Sequence, residues 1–378
     1  MNSKLPHAGT TIFTVMSALA REHQAVNVSQ GFPDYEPTAE LLELANKYLM
    51  GGYNQYAPMP GALALRETIS QLVTNCYGAA PDPDKNITIT AGATQALYTA
   101  LATLVHPGDE VIVLEPAYDC YVPAILVHGG VPVFSRLREP DFSVDWQDVK
   151  QKITKRTRAI IVNSPHNPTG AIFSATDLQT LAELVSDYGI YVISDEVYEH
   201  MVFDERPHAS VHRHAALRDH AIVVSSFGKT VHATGWKIGY ICAPEKLTVE
   251  IRKIHQFLVF AVNHPLQLAL ADYLRVPERY KHIHGFYQRK RDLLQRELAN
   301  SRLKLLPCAG SYFQLVDYRA IANERDTDLA VRLTKENQLA TIPLSVFYHD
   351  QYDPHLLRIC FAKQDATIKK AAEILRGL

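Results

Sequence analysis

The sequence predicts an α/β fold in which a mainly parallel sheet is covered by helices on both faces and a smaller second domain follows. Three observations carry this. Short, nearly continuous apolar runs rich in β-branched residues recur between Asn86 and Phe227, and helix-patterned segments separate them. A strand that is apolar on both sides is buried on both sides, which is the condition of a parallel sheet with crossover helices. At 378 residues the chain is also long enough for a large core and two domains.

Near the N-terminus, Ile12, Val15, Met16 and Leu19 recur at helical spacing and predict an amphipathic helix from about Thr10. "NITIT" (Asn86–Thr90) is a β-rich run that passes directly into the helical "AGATQALYTALATLV". "EVIVLEP" (Glu110–Pro116) reads as a buried strand followed by a loop, and "PVFSRL" (Pro132–Leu137) as another. "TRAIIVNSP" (Thr157–Pro165) and "GIYVISDE" (Gly189–Glu196) flank the helical "SATDLQTLAELVSDY", and "HAIVVSSF" (His220–Phe227) is the next strand.

Beyond Val276 the character changes. "PERYKHIHGFYQRKRDLLQRELANS" is a long charged amphipathic helix, "SYFQLVDY" and "LLRICFA" suit a small antiparallel or mixed sheet, and "DATIKKAAEILRGL" is a closing helix. These segments predict a large domain over residues 47–276 and a small one over 277–378. Residues 1–46 are assigned to the small domain, because the first helix has no place in the sheet.

The bulk properties exclude several classes. Hydrophobic residues at 47% and charged residues at 21%, with a formal net charge of -2, give no basic field for nucleic acid or an acidic membrane. Five scattered cysteines without a C-x-x-C pair argue against structural zinc and a disulfide framework. No apolar run approaches the roughly 18–20 residues of a membrane span, and the N-terminus lacks the pattern of a secretory signal. The expected location is the cytoplasm.

Function is expected where strands end, since ligands of open parallel sheets sit outside the carboxyl ends. After Asn86–Thr90 come Gly92, Ala93 and Thr94 at a helix N-terminus, suited to phosphate. Tyr118 follows the second strand, in "PAYDCY", and Asn167 follows Thr157–Pro165, in "NSPHNPTG". Asp195 and Tyr198 close the strand Gly189–Glu196; Ser226 and Lys229 close the strand His220–Phe227. Gly228-Lys229-Thr230 has the look of a P-loop end, but a P-loop needs glycine five residues before the Gly-Lys pair, and Val223 stands there. An isolated Asp195 after a strand also suits a helix N-cap.

"NPTG", "SDEVY", "SSFGKT" and "TGWKIGY", in this order, resemble the signature segments of pyridoxal-phosphate-dependent aminotransferases of class I/II, fold type I. The resemblance runs from "NVSQGFPD" to "LLRICFA" and is strongest to methionine/aromatic aminotransferases and to kynurenine or glutamine-phenylpyruvate transaminases. It implies a seven-stranded sheet and pyridoxal 5'-phosphate as cofactor. It implies that Lys229 bonds the cofactor aldehyde and then carries the Cα proton. It implies that Asp195 faces the ring nitrogen, that Tyr198 and Asn167 bond the ring oxygen, and that Tyr118 stacks on the ring. Gly92, Ala93, Thr94, Ser226 and Lys237 would hold the phosphate, with Lys237 standing where the family often has arginine. Tyr56 would reach the site of the neighbouring subunit in a homodimer. Arg358 would clamp the substrate α-carboxylate with help from the backbone N–H of Gly31.

The reaction this implies is a ping-pong transamination between an amino acid and a 2-oxo acid, with methionine as leading donor and aromatic amino acids or glutamine also accepted. Phe257, Phe260, Phe347 and Tyr348 are candidates for an apolar, polarizable pocket, which suits a thioether or an aromatic ring. A carbon–sulfur β-lyase on the same scaffold is the nearest rival. A non-catalytic pyridoxal-phosphate-binding regulator is a rival of another class, and the early start of the family-like region argues against it. The histidines of "RPHASVHRHAALRDH" (His208, His212, His214, His220) suggest metal at first glance but read better as a solvated helix or loop.

Overall fold

The computed structural model describes residues 3–6 and 8–378. Its centre is a seven-stranded sheet built from β1 (Ile87–Thr90), β2 (Glu110–Glu115), β3 (Val131–Arg136), β4 (Thr157–Asn163), β5 (Tyr191–Asp195), β6 (Ala221–Ser226) and β7 (Gly239–Cys242). In space the order is β1-β7-β6-β5-β4-β2-β3. Pairings from β6 to β3 are all parallel, whereas β7 runs antiparallel to both of its neighbours, β1 and β6.

The continuous apolar runs are explained by two cores, one on each face. Ile112, Ile160, Val162, Val192 and Val223 point to one; Val111, Val113, Ile161, Ile193 and Val224 point to the other. Side chains alternate faces along a strand, so a run without polar gaps is what a doubly covered sheet requires. Each such residue, fully buried, contributes roughly 1.5–3 kcal/mol. Helices Ala93–Leu104, Tyr121–Val127 and Glu245–Leu258 cover one face, and Leu63–Tyr77 and Ala175–Tyr188 the other. Ala175–Tyr188 opens with a capping box between Ser174 and Asp177 and stops at Gly189, whose φ of 67° is left-handed.

The predicted N-terminal helix is Ile12–Glu22, capped by Thr11, with Met16 and Ala20 buried one turn apart. It packs on helix Asp326–Glu336, and Val26–Asn27 pairs in parallel with Leu339–Ala340, so these N-terminal residues join the C-terminal part. The boundary expected between residues 46 and 47 falls inside one helix, Ala39–Met50, which packs on His264–Leu274. The predicted small sheet is antiparallel, in the order Ile342–Pro343, Leu356–Cys360, Phe313–Asp317, Lys304–Leu305. The long charged helix is broken at His282 into Glu278–Lys281 and Ile283–Leu298.

Candidate active site

Asp195 is the last residue of β5 and is buried. No helix starts there; instead its carboxylate accepts the Tyr121 O–H at 2.6 Å and the Val197 N–H at 3.3 Å. Burial pushes its pKa up to about 6, and those two donors hold it from rising further. Next to it, at the end of β4, Asn163 donates Nδ2–H to the Asp195 carbonyl at 2.7 Å and accepts the Asn167 N–H at 2.9 Å. One amide thus ties the proline-flanked Asn167 turn to the Asp195 strand.

Asn167 Oδ1 in turn accepts from Arg358 Nη1 at 2.7 Å, and Arg358 Nη2 donates to the Ser29 carbonyl at 2.8 Å. Arg358 sits on the central strand of the small sheet, its guanidinium 3.9 Å from the Phe313 ring centre. Its Nε is buried without a partner. A buried cation with an unspent donor is a site prepared for an anion.

Lys229 leaves the end of β6 on the short turn of helix Phe227–Thr230. It lies deep in the chain yet keeps some surface, and it lines a cavity of about 290 Å³ together with Asp195 and Arg358. Loss of water around Nζ, with the charges of Lys237 and Arg358 nearby, lowers its pKa to about 8. On the same cavity Gly92 precedes helix Ala93–Leu104 with a φ of 77°, which lets the first N–H groups of that helix stand open. Lys237, itself left-handed at φ 52°, folds back so closely that a Cβ on Gly92 would lie 3.4 Å from its Nζ. A helix N-terminus, a small residue and an ammonium make an anion cradle.

The sequence profile of the family described as "Aminotransferase class I and II" matches residues 23–375. The chain belongs to that family. It is 52% identical to a methionine aminotransferase of Escherichia coli over 377 residues, which is 100% of this chain and 98% of the relative. It is 36% identical to a probable N-succinyldiaminopimelate aminotransferase of Mycobacterium tuberculosis, over 100% of this chain and 98% of that one. A solved Escherichia coli structure whose description identifies a methionine aminotransferase function superposes with a TM-score of 0.98 at 51% identity, covering 100% and 99% of the two chains.

Members of this aminotransferase family act on amino acids and 2-oxo acids and use pyridoxal phosphate. The residues present fit that group: a lysine to bond an aldehyde, a buried carboxylate for a ring nitrogen, and the Gly92–Lys237 cradle for a phosphate. In this aminotransferase Gly31, Gly92, Ala93, Thr94, Tyr118, Asn167, Asp195, Tyr198, Ser226, Lys229, Lys237 and Arg358 all line the one cavity. Tyr56 does not: it is 79% exposed, with its ring edge-on to Phe260 at 5.0 Å.

Two expectations need correction. Phe257, Phe260, Phe347 and Tyr348 do not line the cavity; Phe257 and Phe260 face outward, Phe347 backs Arg358, and Tyr348 stacks under Arg136. The apolar wall comes from Phe13, Leu97, Val197 and Phe313. Gly31 lines the cavity, and its carbonyl accepts from Lys229 Nζ at 3.0 Å. The histidines are not a solvated loop: His208 and His212 are buried, and His208 Nε2 pairs with Glu196 Oε2 at 2.9 Å. That carboxylate lies 12 residues earlier, beyond the spacing a local motif search covers.

The sequence reading missed Tyr121, Asn163, Phe13 and Tyr312. Tyr121 had a signal, since it follows Tyr118 by three residues in "PAYDCY", within the same segment after the strand. Phe13 lines the cavity and Tyr312 meets Lys229 Nζ, from segments far apart in the chain, and nothing local marks them.

Proposed function

We propose that this enzyme is a pyridoxal-phosphate-dependent methionine aminotransferase that also accepts aromatic amino acids or glutamine, and that it works as a homodimer. One observation carries the cofactor reading: a buried lysine of lowered pKa shares a single cavity with a buried carboxylate and an anion cradle. When bound, the cofactor supplies an electron sink for the pair released as the substrate Cα–H bond breaks. Everything else is the work of the chain. Lys229 would hold the cofactor through Nζ and would afterwards carry the Cα proton. Asp195 would keep the ring nitrogen protonated, Tyr198 and Asn167 would hydrogen-bond the ring oxygen, and Tyr118 would pack on the ring. Gly92, Ala93, Thr94, Ser226 and Lys237 would hold the phosphate.

Arg358 orients the amino acid by its α-carboxylate, which aims the Cα–H bond at Lys229. Arg358→Ala is therefore expected to raise the half-saturating concentration of every donor about a hundredfold. Steady-state kinetics across donors checks this, and a loss confined to one donor would place the arginine in the side-chain pocket instead.

Methionine is favoured by the 52% identity to a methionine aminotransferase and by the wall of Phe13, Phe313 and Leu97. Thioether sulfur packs well on aromatic rings. The cations that line the cavity are Lys229, Lys237 and Arg358, each with a role above, so none is spare for a side-chain carboxylate. The test is a donor panel of methionine, phenylalanine, glutamine, kynurenine and aspartate with one 2-oxo acid. Methionine should lead and aspartate trail. Fastest turnover of aspartate, or pyruvate and ammonia from cysteine conjugates without any acceptor, would overturn the reading.

The exposed ring pair Tyr56 and Phe260, with Phe257 beside it in sequence and 86% exposed, is a surface that a second subunit would cover. We read the chain as two domains, with the N-terminal helix and residues 277–378 forming the smaller.

A further inference from the structure

Among the described residues Lys229 Nζ has two protein partners, and both are acceptors. It donates to the Gly31 carbonyl at 3.0 Å and to Tyr312 Oη at 2.7 Å. Tyr312 does not offer its own proton to the amine, because that proton is committed: its O–H donates to the same Gly31 carbonyl. Three groups close a triangle in which the carbonyl accepts twice, the phenol donates once and accepts once, and the amine only donates. A neutral amine has two N–H bonds and one lone pair. With both N–H bonds taken, the lone pair is left to the cavity that Lys229 lines.

We infer that Tyr312 is a positioning residue for the lysine amine: with the Gly31 carbonyl it holds both N–H bonds of free Lys229, so that the lone pair stays turned to the substrate Cα–H. This rests on the reading of Lys229 as the proton carrier. A free lysine side chain rotates about four bonds, so an amine released from a covalent bond has many directions to face; two fixed acceptors select one. The acceptors are indeed fixed. Tyr312 is fully buried, with Tyr198 edge-on at 5.0 Å and Phe313 at 4.8 Å. Burial holds its hydroxyl well above the usual phenol range, so it keeps its proton and its role as donor to Gly31.

Gly31 is held by the same packing. A Cβ there would lie 2.9 Å from Phe313 Cζ, and the Phe313 ring carries the Arg358 guanidinium on its face. The two ends of the reacting geometry, the amine that takes the proton and the guanidinium that orients the carboxylate, thus hang on one frame made by Gly31, Tyr312 and Phe313.

Tyr312→Phe keeps the ring and deletes Oη, and two measurements on the full-length protein test the role. In single turnovers of the cofactor-loaded enzyme with methionine and α-deuterated methionine, the rate constant should fall about tenfold. The half-saturating concentration should stay unchanged and the isotope effect should rise. In the cofactor-free protein, competitive acylation of Lys229 followed by mass spectrometry should show its titration midpoint move down by about one pH unit, because an acceptor of the ammonium is gone. The charges that also act on Nζ, from Lys237, Arg358, Asp195 and Cys360, are untouched by the substitution.

A wild-type rate, isotope effect and midpoint would overturn the proposal. So would loss of cofactor from the variant, or a raised half-saturation at unchanged rate, since these mark a structural or substrate-pocket residue. If the wild-type protein itself forms no borohydride-trapped bond at Lys229, the reading of the whole site falls. If wild type passes and Tyr312→Phe matches it, only the role of Tyr312 falls.

Discussion

Lys229→Ala is expected to lower transamination by at least about 10⁴-fold, the largest effect of any single substitution in this chain. Two functions leave together: the covalent hold on the cofactor and the amine that carries the Cα proton. Lysine suits both because its amine is a nucleophile only when deprotonated, and burial brings the Lys229 pKa from 10.5 to about 8. At neutral pH that turns a negligible neutral fraction into a useful one. The decisive readout is mass. After borohydride treatment the wild-type chain should carry one added cofactor on the peptide holding Lys229, and the variant none. Among the described residues the other lysine lining the cavity is Lys237, whose ammonium is turned to Gly92. The variant should still bind the cofactor reversibly through the phosphate cradle and lose it on dialysis. A trapped adduct that persists in Lys229→Ala, on Lys237 or elsewhere, would show that the covalent role was assigned to the wrong residue.

Why Lys229, Asp195, Asn167 and Arg358 could be found without coordinates, and Tyr312 and Phe13 could not, follows from how the fold delivers them. The former stand at strand ends or inside short ordered motifs, and a parallel sheet gathers its carboxyl ends along one edge whatever the loops between them do. Tyr312 and Phe13 enter from the small sheet and the N-terminal helix. Their approach depends on docking these elements over the cavity, which no local pattern encodes. The misplaced aromatics illustrate the same limit: Phe257 and Phe260 are apolar in sequence, but they cap the end of Glu245–Leu258 on the outside. Local pattern also failed for β7, a four-residue strand whose antiparallel place between β1 and β6 is set by partners about as far as 150 residues away in the chain. Buried His208 and His212 were read as solvated because no carboxylate stands at ligand spacing beside them, yet His208 Nε2 pairs with Glu196 inside the core. Polar residues become buried when a partner waits for them, and that partner is a fact of tertiary structure.

Asp195→Asn is expected to slow the half-reaction with methionine about 10²- to 10³-fold while leaving its half-saturating concentration near the wild-type value. The substitution is isosteric and keeps one oxygen to accept the Tyr121 O–H, giving up only the longer bond from the Val197 N–H, so the fold and the cavity shape survive. What is removed is charge. In the cofactor-free chain the carboxylate has a pKa of about 6, raised by burial, so at neutral pH it is already mostly ionised although it is buried. A cation set against it, such as a protonated ring nitrogen, relieves that cost and is itself held protonated in return. Asparagine offers neither effect, and the ring then withdraws electrons from Cα far less well. Substrate binding is spared because the α-carboxylate is held by Arg358, on another sheet. The loss should also be the same factor for every donor, since Asp195 is expected to act on the shared ring and not on the donor side chain. Stopped-flow absorbance of the cofactor after mixing with each donor measures both quantities. Near-normal single turnovers would remove Asp195 from the chemistry, and a loss that varied strongly between donors would make it a specificity residue instead.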